Sequence, residues 1–280
     1  MPRSRIAVGQ GEWTFDWETN VQRMEHFIQE LYDDWGSGVN LVTFCEYAVC
    51  GTPVKANDPN SFEKAAQLIP GPATDRLAAM AKKTGYYICN GSMVERTEDG
   101  LFYNTAVILS PEGEIVHRYR KTHPWQEGGE NVEIGREFPV TDLPGIGKVG
   151  VMICYDGHVP ECARALAFNG AEIILWNSMA FHPLKEFALL YAQARANENQ
   201  CYVVFAAGSG PHGGIGLVGN SMIVDPHGVV ISQAGDGPTL YMDVIDTYNV
   251  EVAQEVGSQH LATYVKHLAT LAHNYPQYQH

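Results

Sequence analysis

The alternation of apolar and polar positions predicts an opening strand, helix and strand. Residues 4 to 9 form a short apolar run typical of a strand. Between residues 17 and 36, Met24, Ile28 and Leu31 recur at the spacing of one face of a helix. Residues 38 to 44 then form a continuous apolar run, typical of a buried strand, that ends just before Glu46. This order is typical of the unit from which α/β folds are built.

Further along the chain, apolar runs and turn residues predict the next elements. Residues 73 to 84 are predicted to be helical and residues 86 to 90 to form a strand. Residues 103 to 109 and 115 to 116 flank a Pro-Glu-Gly turn and are predicted to form a hairpin. Residues 148 to 153 predict a buried strand that delivers Cys154 at its end. A helix is predicted from Pro160 to about residue 169, because proline suits a first helical turn.

A weak internal repeat indicates the architecture. Residues 38 to 44 resemble residues 170 to 176, and residues 104 to 113 resemble residues 220 to 228. Both halves are therefore expected to build similar mixed sheets with helices on one side. Stacking them predicts a four-layer α-β-β-α sandwich with the helices on the outer faces. We expect residues 1–247 to form this domain and residues 248–280 to form a surface arm available for subunit contact.

Composition and charge narrow the class of protein. The chain has 280 residues, 45% of them hydrophobic, and a formal net charge of -14 with no basic run, which argues against nucleic-acid binding. No apolar stretch approaches a membrane span, and the N-terminus lacks the apolar core of a signal peptide, so a cytoplasmic location is expected. The six cysteines do not form paired CxxC sets, which gives a structural zinc site little support.

Three ionisable residues follow predicted strands and are candidates for chemistry. Cys154 precedes a glycine-bearing turn into a helix, which would expose its sulfur and lower its pKa. Glu46 lies among apolar residues, where a raised pKa would suit a general base. Lys121 could stabilise an oxyanion. Each has an ordinary alternative as a core, capping or surface residue. A cysteine–histidine pair is a second possibility, with His158 ahead of His117, His123 and His212.

These residues lie in motifs that resemble the nitrilase superfamily of carbon–nitrogen hydrolases. The motifs are Phe44-Cys45-Glu46-Tyr47, Arg120-Lys121-Thr122-His123-Pro124-Trp125 and Ile153-Cys154-Tyr155-Asp156-Gly157 followed by Pro160-Glu161, within residues 4 to 247. The resemblance implies the four-layer fold, a Glu46-Lys121-Cys154 triad, no metal or other cofactor, and homo-oligomers assembled from dimers. It also implies a second glutamate after the lysine. Glu130 lies five residues before Gly135, which is the spacing that resembles the aliphatic amidase and formamidase branch of the superfamily. Glu127 is the alternative.

The sequence around Cys154 resembles the aliphatic amidase and formamidase branch more than nitrilases proper. The late segment Ser258-Gln259-His260-Leu261 supports this branch. The implied activity is hydrolysis of a small aliphatic primary amide through a thioester, with nitrile or N-carbamoyl amino acid hydrolysis and a catalytically silent scaffold as alternatives. Residues expected at the substrate pocket are Tyr47, Trp125, Tyr155, Trp176, Asn177 and Met179, with the Tyr155 N–H as a second oxyanion donor.

Overall fold

The computed structural model describes residues 3–55, 58 and 60–256 of the chain. The helices are α1 (Trp17–Trp35), α2 (Ser61–Ala65), α3 (Pro72–Thr84), α4 (Pro160–Phe168), α5 (Lys185–Asn199) and α6 (Tyr248–Val256). The strands are β1 (Arg3–Gln10), β2 (Leu41–Phe44), β3 (Tyr87–Cys89), β4 (Met93–Arg96), β5 (Phe102–Leu109), β6 (Ile115–Arg120), β7 (Val140–Leu143), β8 (Gly147–Ile153), β9 (Ile173–Ser178), β10 (Tyr202–Ala207), β11 (Ser209–His212), β12 (Ile215–Val218), β13 (Met222–Val224), β14 (Val230–Gln233) and β15 (Thr239–Asp246).

Two mixed sheets carry the fold, and their strand orders show the internal repeat. The first sheet runs β15-β1-β2-β3-β5-β4, with β6 paired to β5, and the second runs β14-β13-β10-β9-β8-β7. In the first sheet β1, β2 and β3 are parallel, and in the second β8, β9 and β10 are parallel. The two repeated apolar runs become β2 and β9, the middle strand of each parallel set. The repeated turn sequences become the hairpins β5–β6 and β13–β14.

Three apolar clusters separate the layers. Side chains from both sheets, including Val8 and Leu175, pack together between the sheets. Ala7, the neighbour of Val8, points the other way and packs with the buried faces of α1 and α3. A third cluster lies between the second sheet and the helices α4 and α5. The predicted four-layer α-β-β-α sandwich is therefore confirmed.

Element ends depart from the sequence prediction where backbone geometry intervenes. Helix α1 ends at Trp35, because Gly36 adopts φ 52° and returns its N–H to the carbonyl of Tyr32. A 3₁₀ turn at Gly36–Gly38 follows, so the next strand begins at Leu41 rather than at residue 38. Strand β6 extends to Arg120, four residues beyond the predicted hairpin strand, and delivers Lys121 at its end.

The predicted arm begins with an element that packs on the domain. Helix α6 buries Val250 and Ala253, and the Gln200 amide donates a hydrogen bond to the carbonyl of Ala253. Residues 257–280, which include most of the predicted arm, lie outside the described residues, so the expected subunit contact stays a prediction. Each helix in the described part of the chain is too short or too polar to span a bilayer.

Candidate active site

Glu46, Lys121 and Cys154 meet at one end of the stacked sheets. Each follows a strand directly or closely: Glu46 follows β2, Lys121 follows β6 and Cys154 follows β8. They open onto a cavity of about 40 Å³. Its lining consists of Glu46, Tyr47, Thr52, Val54, Lys121, Trp125, Glu130, Cys154, Met179, Phe181 and Ile215. This volume is far below the several hundred Å³ of a site for a drug-sized ligand.

The Lys121 ammonium lies between two buried carboxylates. Its Nζ is 2.8 Å from Glu46 Oε1 and 2.8 Å from Glu130 Oε2, and all three side chains are at most 4% exposed. Burial alone would lower the pKa of Lys121, but the charges of Glu46 and Glu130 raise it well above its usual value. Lys121 therefore stays protonated, and one cation serves two carboxylates.

The two carboxylates differ in how well their environment stabilises the ionised form. Glu130 accepts hydrogen bonds from Lys121, the Trp125 N–H at 2.7 Å, the Tyr47 hydroxyl at 2.7 Å and the Asn104 amide at 2.8 Å. Burial raises the pKa of Glu130, but Lys121 and these donors outweigh it, so the net shift is downward. Glu130 is therefore the carboxylate held ionised.

Glu46 remains the better proton acceptor of the pair. It accepts from Lys121, from Asn104 at 3.0 Å and from the backbone N–H of Met179 at 3.1 Å. Burial raises its pKa, Lys121 opposes this, and the nearby charge of Glu130 raises the pKa further, for a net upward shift. A carboxylate of this kind can take up a proton nearer to neutral pH.

The backbone at Cys154 forms a strained elbow. Cys154 has φ 45°, a left-handed conformation that non-glycine residues seldom adopt, at the start of the 3₁₀ turn Cys154–His158. The expected lowering of its thiol pKa by a helix N-terminus is wrong. Burial, and then the charge of Glu46, raise the pKa of Cys154 despite the opposing effect of Lys121. The thiol therefore needs a base to ionise it.

Two buried side chains, Trp176 and Arg195, donate hydrogen bonds to backbone carbonyls of the elbow. The Trp176 indole N–H donates to the carbonyl of Cys154 at 2.9 Å. A Cβ on Gly157 would lie 2.1 Å from the Trp176 ring, so only glycine allows this approach. The Arg195 guanidinium, 5% exposed, donates to the carbonyl of Gly157 at 3.0 Å.

Asp156 ties the elbow to the segment after Lys121. Its carboxylate accepts from the backbone N–H of Ile153 at 3.0 Å, the Tyr119 hydroxyl at 2.7 Å, the Thr122 hydroxyl at 3.1 Å and the His123 N–H at 2.9 Å. Since it is fully buried, this carboxylate fixes the nucleophile candidate and the lysine candidate relative to each other.

The six residues expected at the pocket divide into two groups. Tyr47, Trp125 and Met179 line the cavity. Three others do not line it: Trp176 points into the cluster on the helix side of its sheet, the ring of Tyr155 stacks on His158, and Asn177 joins the two sheets through Thr43 and Gly91. Side chains alternate along a strand, so Trp176 and Asn177 face opposite sides of β9, and neither faces the cavity.

The remaining candidates lie apart from the reactive cluster. Glu127 is exposed, whereas Glu130 is 3% exposed and contacts Lys121. The His158 ring packs among Tyr155, Trp176 and Tyr191. His117 binds Thr141, and burial lowers its pKa to about 4. His212 joins the N–H of Thr52 to the carbonyl of Trp13.

Asn104 is the main contributor that the sequence analysis did not select. Its Nδ2 donates to both Glu46 and Glu130, so it supports both carboxylates at once. The only signal in the sequence was its position at the start of the repeated hairpin. Phe181 and Ile215 also line the cavity, but as single apolar residues they carry no motif that would single them out.

Several known proteins are similar to this chain in sequence. The carbon–nitrogen hydrolase family model matches residues 5–251. The protein "Hydrolase in pqqF 5'region" of Pseudomonas protegens is 33% identical over 229 residues, 81% of this chain and 77% of that protein. A formamidase of Bacillus cereus is 32% identical over 203 residues, 72% of this chain, and the match spans 60% of the formamidase.

Solved structures share the fold. Saccharomyces cerevisiae Nit3, a member of branch 10 of the nitrilase superfamily, superposes with a TM-score of 0.82 at 24% identity over 92% of this chain and 95% of that chain. A variant of the Nesterenkonia AN1 amidase gives a TM-score of 0.76 at 23% identity over 90% and 94% of the two chains. The chain therefore belongs to the carbon–nitrogen hydrolase family, within the nitrilase superfamily, and is a carbon–nitrogen hydrolase enzyme.

Proposed function

We propose that this enzyme hydrolyses a small aliphatic primary amide to a carboxylate and ammonia through a thioester on Cys154. The observation that carries the proposal is the arrangement of Cys154, Glu46 and Lys121 around a cavity of about 40 Å³. The formamidase relative of Bacillus cereus supports amide hydrolysis as the reaction class.

In the first half-reaction Glu46 takes the thiol proton, and the Cys154 sulfur attacks the amide carbonyl carbon. Lys121 and the Tyr155 N–H stabilise the oxyanion of the tetrahedral intermediate, each donor contributing about 3 kcal/mol. The carbon–nitrogen bond then breaks, and the leaving nitrogen takes the proton from Glu46 and departs as ammonia. The product on the enzyme is an acyl thioester.

In the second half-reaction Glu46 takes a proton from water, and the resulting hydroxide attacks the thioester carbonyl. The carbon–sulfur bond breaks, the carboxylic acid leaves, and the proton returns to the sulfur. Glu130, held ionised, keeps Lys121 protonated and in place through both steps. The raised pKa of Glu46 suits a group that must accept and return a proton.

The cavity walls favour a small neutral acyl group. Tyr47, Trp125, Phe181, Met179 and Ile215 provide mainly apolar contact. Recognition of an N-carbamoyl amino acid would require a cation for its carboxylate. Among the described lining residues Lys121 is the one cation, and two carboxylates already engage it.

The test combines a substrate panel with detection of the intermediate. Ammonia release is measured with formamide, propionamide, a longer aliphatic amide, an N-carbamoyl amino acid and an aliphatic nitrile. The two short amides should give the highest kcat/KM. Wild-type protein quenched in acid during turnover should carry one acyl group, mapped by mass spectrometry to Cys154.

Two cysteine variants serve as controls. Cys201→Ala, which changes another buried cysteine, should keep the acyl adduct, and Cys154→Ala should show neither adduct nor activity. Full activity of Cys154→Ala would refute the mechanism. Preference for the nitrile or the carbamoyl compound would refute the proposed substrate class while leaving the nucleophile intact.

A further inference from the structure

Beside the reactive cluster, three potential metal ligands converge from separate parts of the chain. They are His123, which follows Lys121 by two residues, Asp156 in the elbow, and Cys162 in helix α4. His123 Nδ1 lies 3.2 Å from Cys162 Sγ and 3.4 Å from Asp156 Oδ1. The three ligand atoms lie within 4.8 Å of one another.

The two separations from His123 Nδ1 are close to two edges of a metal-centred tetrahedron. Bond lengths of about 2.3 Å to sulfur and about 2.0–2.1 Å to nitrogen or oxygen give edges of about 3.5 Å for sulfur–nitrogen and about 3.3 Å for nitrogen–oxygen. Asp156 and Cys162 are fully buried, whereas the His123 side chain is 41% exposed. A cation could therefore enter past His123.

We propose that His123, Asp156 and Cys162 form a binding site for a thiophilic divalent cation of the zinc class. A thiolate, an imidazole and a carboxylate are a donor set that suits zinc and disfavours magnesium or calcium, which prefer oxygen ligands. On binding, the Cys162 thiol releases its proton to bulk water, and the thiolate forms a sulfur–metal bond. The thiolate and carboxylate then neutralise the divalent cation, so the buried site carries no net charge.

Occupation of this site should inhibit the enzyme, a consequence that depends on the proposed function. Asp156 Oδ1 accepts hydrogen bonds from the Thr122 hydroxyl and the His123 N–H, which hold the segment after Lys121. A metal bound to this oxygen competes with both donors. The position of Lys121 relative to Cys154 would then be disturbed without any metal contact to the reactive sulfur.

The binding test uses cobalt(II) as a spectroscopic probe in a Cys154→Ala background, which removes the reactive thiol and any dependence on catalysis. The protein is kept reduced with a phosphine. One cobalt per chain should bind with a thiolate-to-cobalt charge-transfer band, and zinc should displace it. Binding with no such band would overturn the proposal, since the histidines at 260, 267, 273 and 280 can bind metal but supply no sulfur.

Three variants in that background, one of them a control, locate the sulfur and the imidazole. Cys162→Val should abolish the band, whereas Cys201→Val, which alters a comparably buried cysteine of the same apolar cluster, should retain it. His123→Phe should weaken cobalt affinity by more than the roughly 10- to 100-fold typical for loss of an outer-shell partner. Loss of the band in Cys201→Val with retention in Cys162→Val would place the site elsewhere.

Inhibition is measured separately with the enzyme carrying Cys154. Zinc should lower kcat for a short amide in the parent protein, a chelator should restore it, and Cys162→Val should require at least about tenfold more zinc for the same inhibition. Equal zinc sensitivity of the two proteins would overturn the regulatory part. If no amide is hydrolysed at all, the proposed function fails, whereas the cobalt result still decides the metal site.

Discussion

Strands β5 and β6 support two buried glutamates in opposite ways. On one face Asn104 and Lys121 contact Glu46, and on the other Thr105 and Arg120 contact Glu95. The alternation of side chains sends neighbours in sequence to opposite faces. Glu46 and Glu95 are each 3% exposed, yet the pKa of Glu46 is raised and that of Glu95 is lowered.

The ratio of cations to carboxylates contributes to the difference. Burial raises the pKa of both groups, but Glu95 has Arg120 at 2.8 and 2.9 Å and Arg118 at 3.5 Å to itself, together with Thr105. Glu46 shares its one lysine with Glu130. Glu95, with excess cation, is fixed as an anion, and so is Glu130, which has the additional Trp125 and Tyr47 donors. Glu46 shares its cation without those donors and can still accept a proton. The first arrangement suits structure and the second suits catalysis.

The largest effect that would test this comparison is on catalysis. Glu46→Gln should lower kcat for a short amide by about 10²- to 10⁴-fold, because the thiol loses its base. Glu95→Gln removes a charge of equal burial and should retain most of the activity at a temperature where the variant is folded. Ammonia release by both variants checks this, with circular dichroism to confirm folding. Equal losses would contradict the assignment of the two roles.

The next effect is on stability when one cation is removed from each cluster. Lys121→Met should lower the free energy of unfolding by about 3–5 kcal/mol, because two buried carboxylates lose their shared partner. Arg118→Met should cost less than about 1 kcal/mol, since this side chain is 39% exposed and Arg120 remains. Urea denaturation near neutral pH measures both. A larger loss for Arg118→Met would contradict the comparison.

The two glutamates should also give opposite slopes of stability against pH. The lowered pKa of Glu95 contributes stability that is present above its unfolded pKa of about 4.3 and is lost as pH falls through the folded value. Glu95→Gln should therefore cost about 1–3 kcal/mol near neutral pH and less in acid.

For Glu46 the sign is reversed. Its raised pKa contributes stability that is fully present below the unfolded pKa and is lost as pH rises through the folded value. The stability of wild type relative to Glu46→Gln should therefore fall with rising pH. Urea denaturation from acid to neutral pH measures both variants, and slopes of the same sign would refute the predicted directions.

The smallest expected effect distinguishes the two possible second glutamates. Glu127→Gln changes an exposed side chain and should alter kcat/KM by less than about twofold. Glu130→Gln, as its counterpart, should lower kcat markedly, because it removes one of the two charges that hold Lys121. Steady-state kinetics with a short amide compares them, and the reverse order would transfer the role to Glu127.

The local sequence pattern was sufficient for helices with one strongly apolar face and for strands with a continuous apolar run. Helix α1 was predicted closely because large apolar residues recur on one face, and β2 and β8 because their apolar runs are continuous. Helix α5 was not predicted from the sequence. Its buried positions include Ala188, Ala192 and Ala196, whose small side chains give little contrast with the polar face. The internal repeat predicted two similar sheets, and the stacking of these sheets followed from that prediction.

The sequence by itself determined the family, the layered fold and the three residues that follow strands, because these depend on local periodicity and short motifs. The tertiary structure decided which side chains meet. Asn104 bridges two glutamates, Asp156 joins two loops, and Trp176 supports the elbow instead of walling the cavity. The tertiary structure also reversed the expected pKa shift of Cys154. Its burial and the proximity of the Glu46 charge both depend on residues that are distant in sequence. Electrostatics and long-range hydrogen bonds follow spatial neighbours, which periodicity cannot specify.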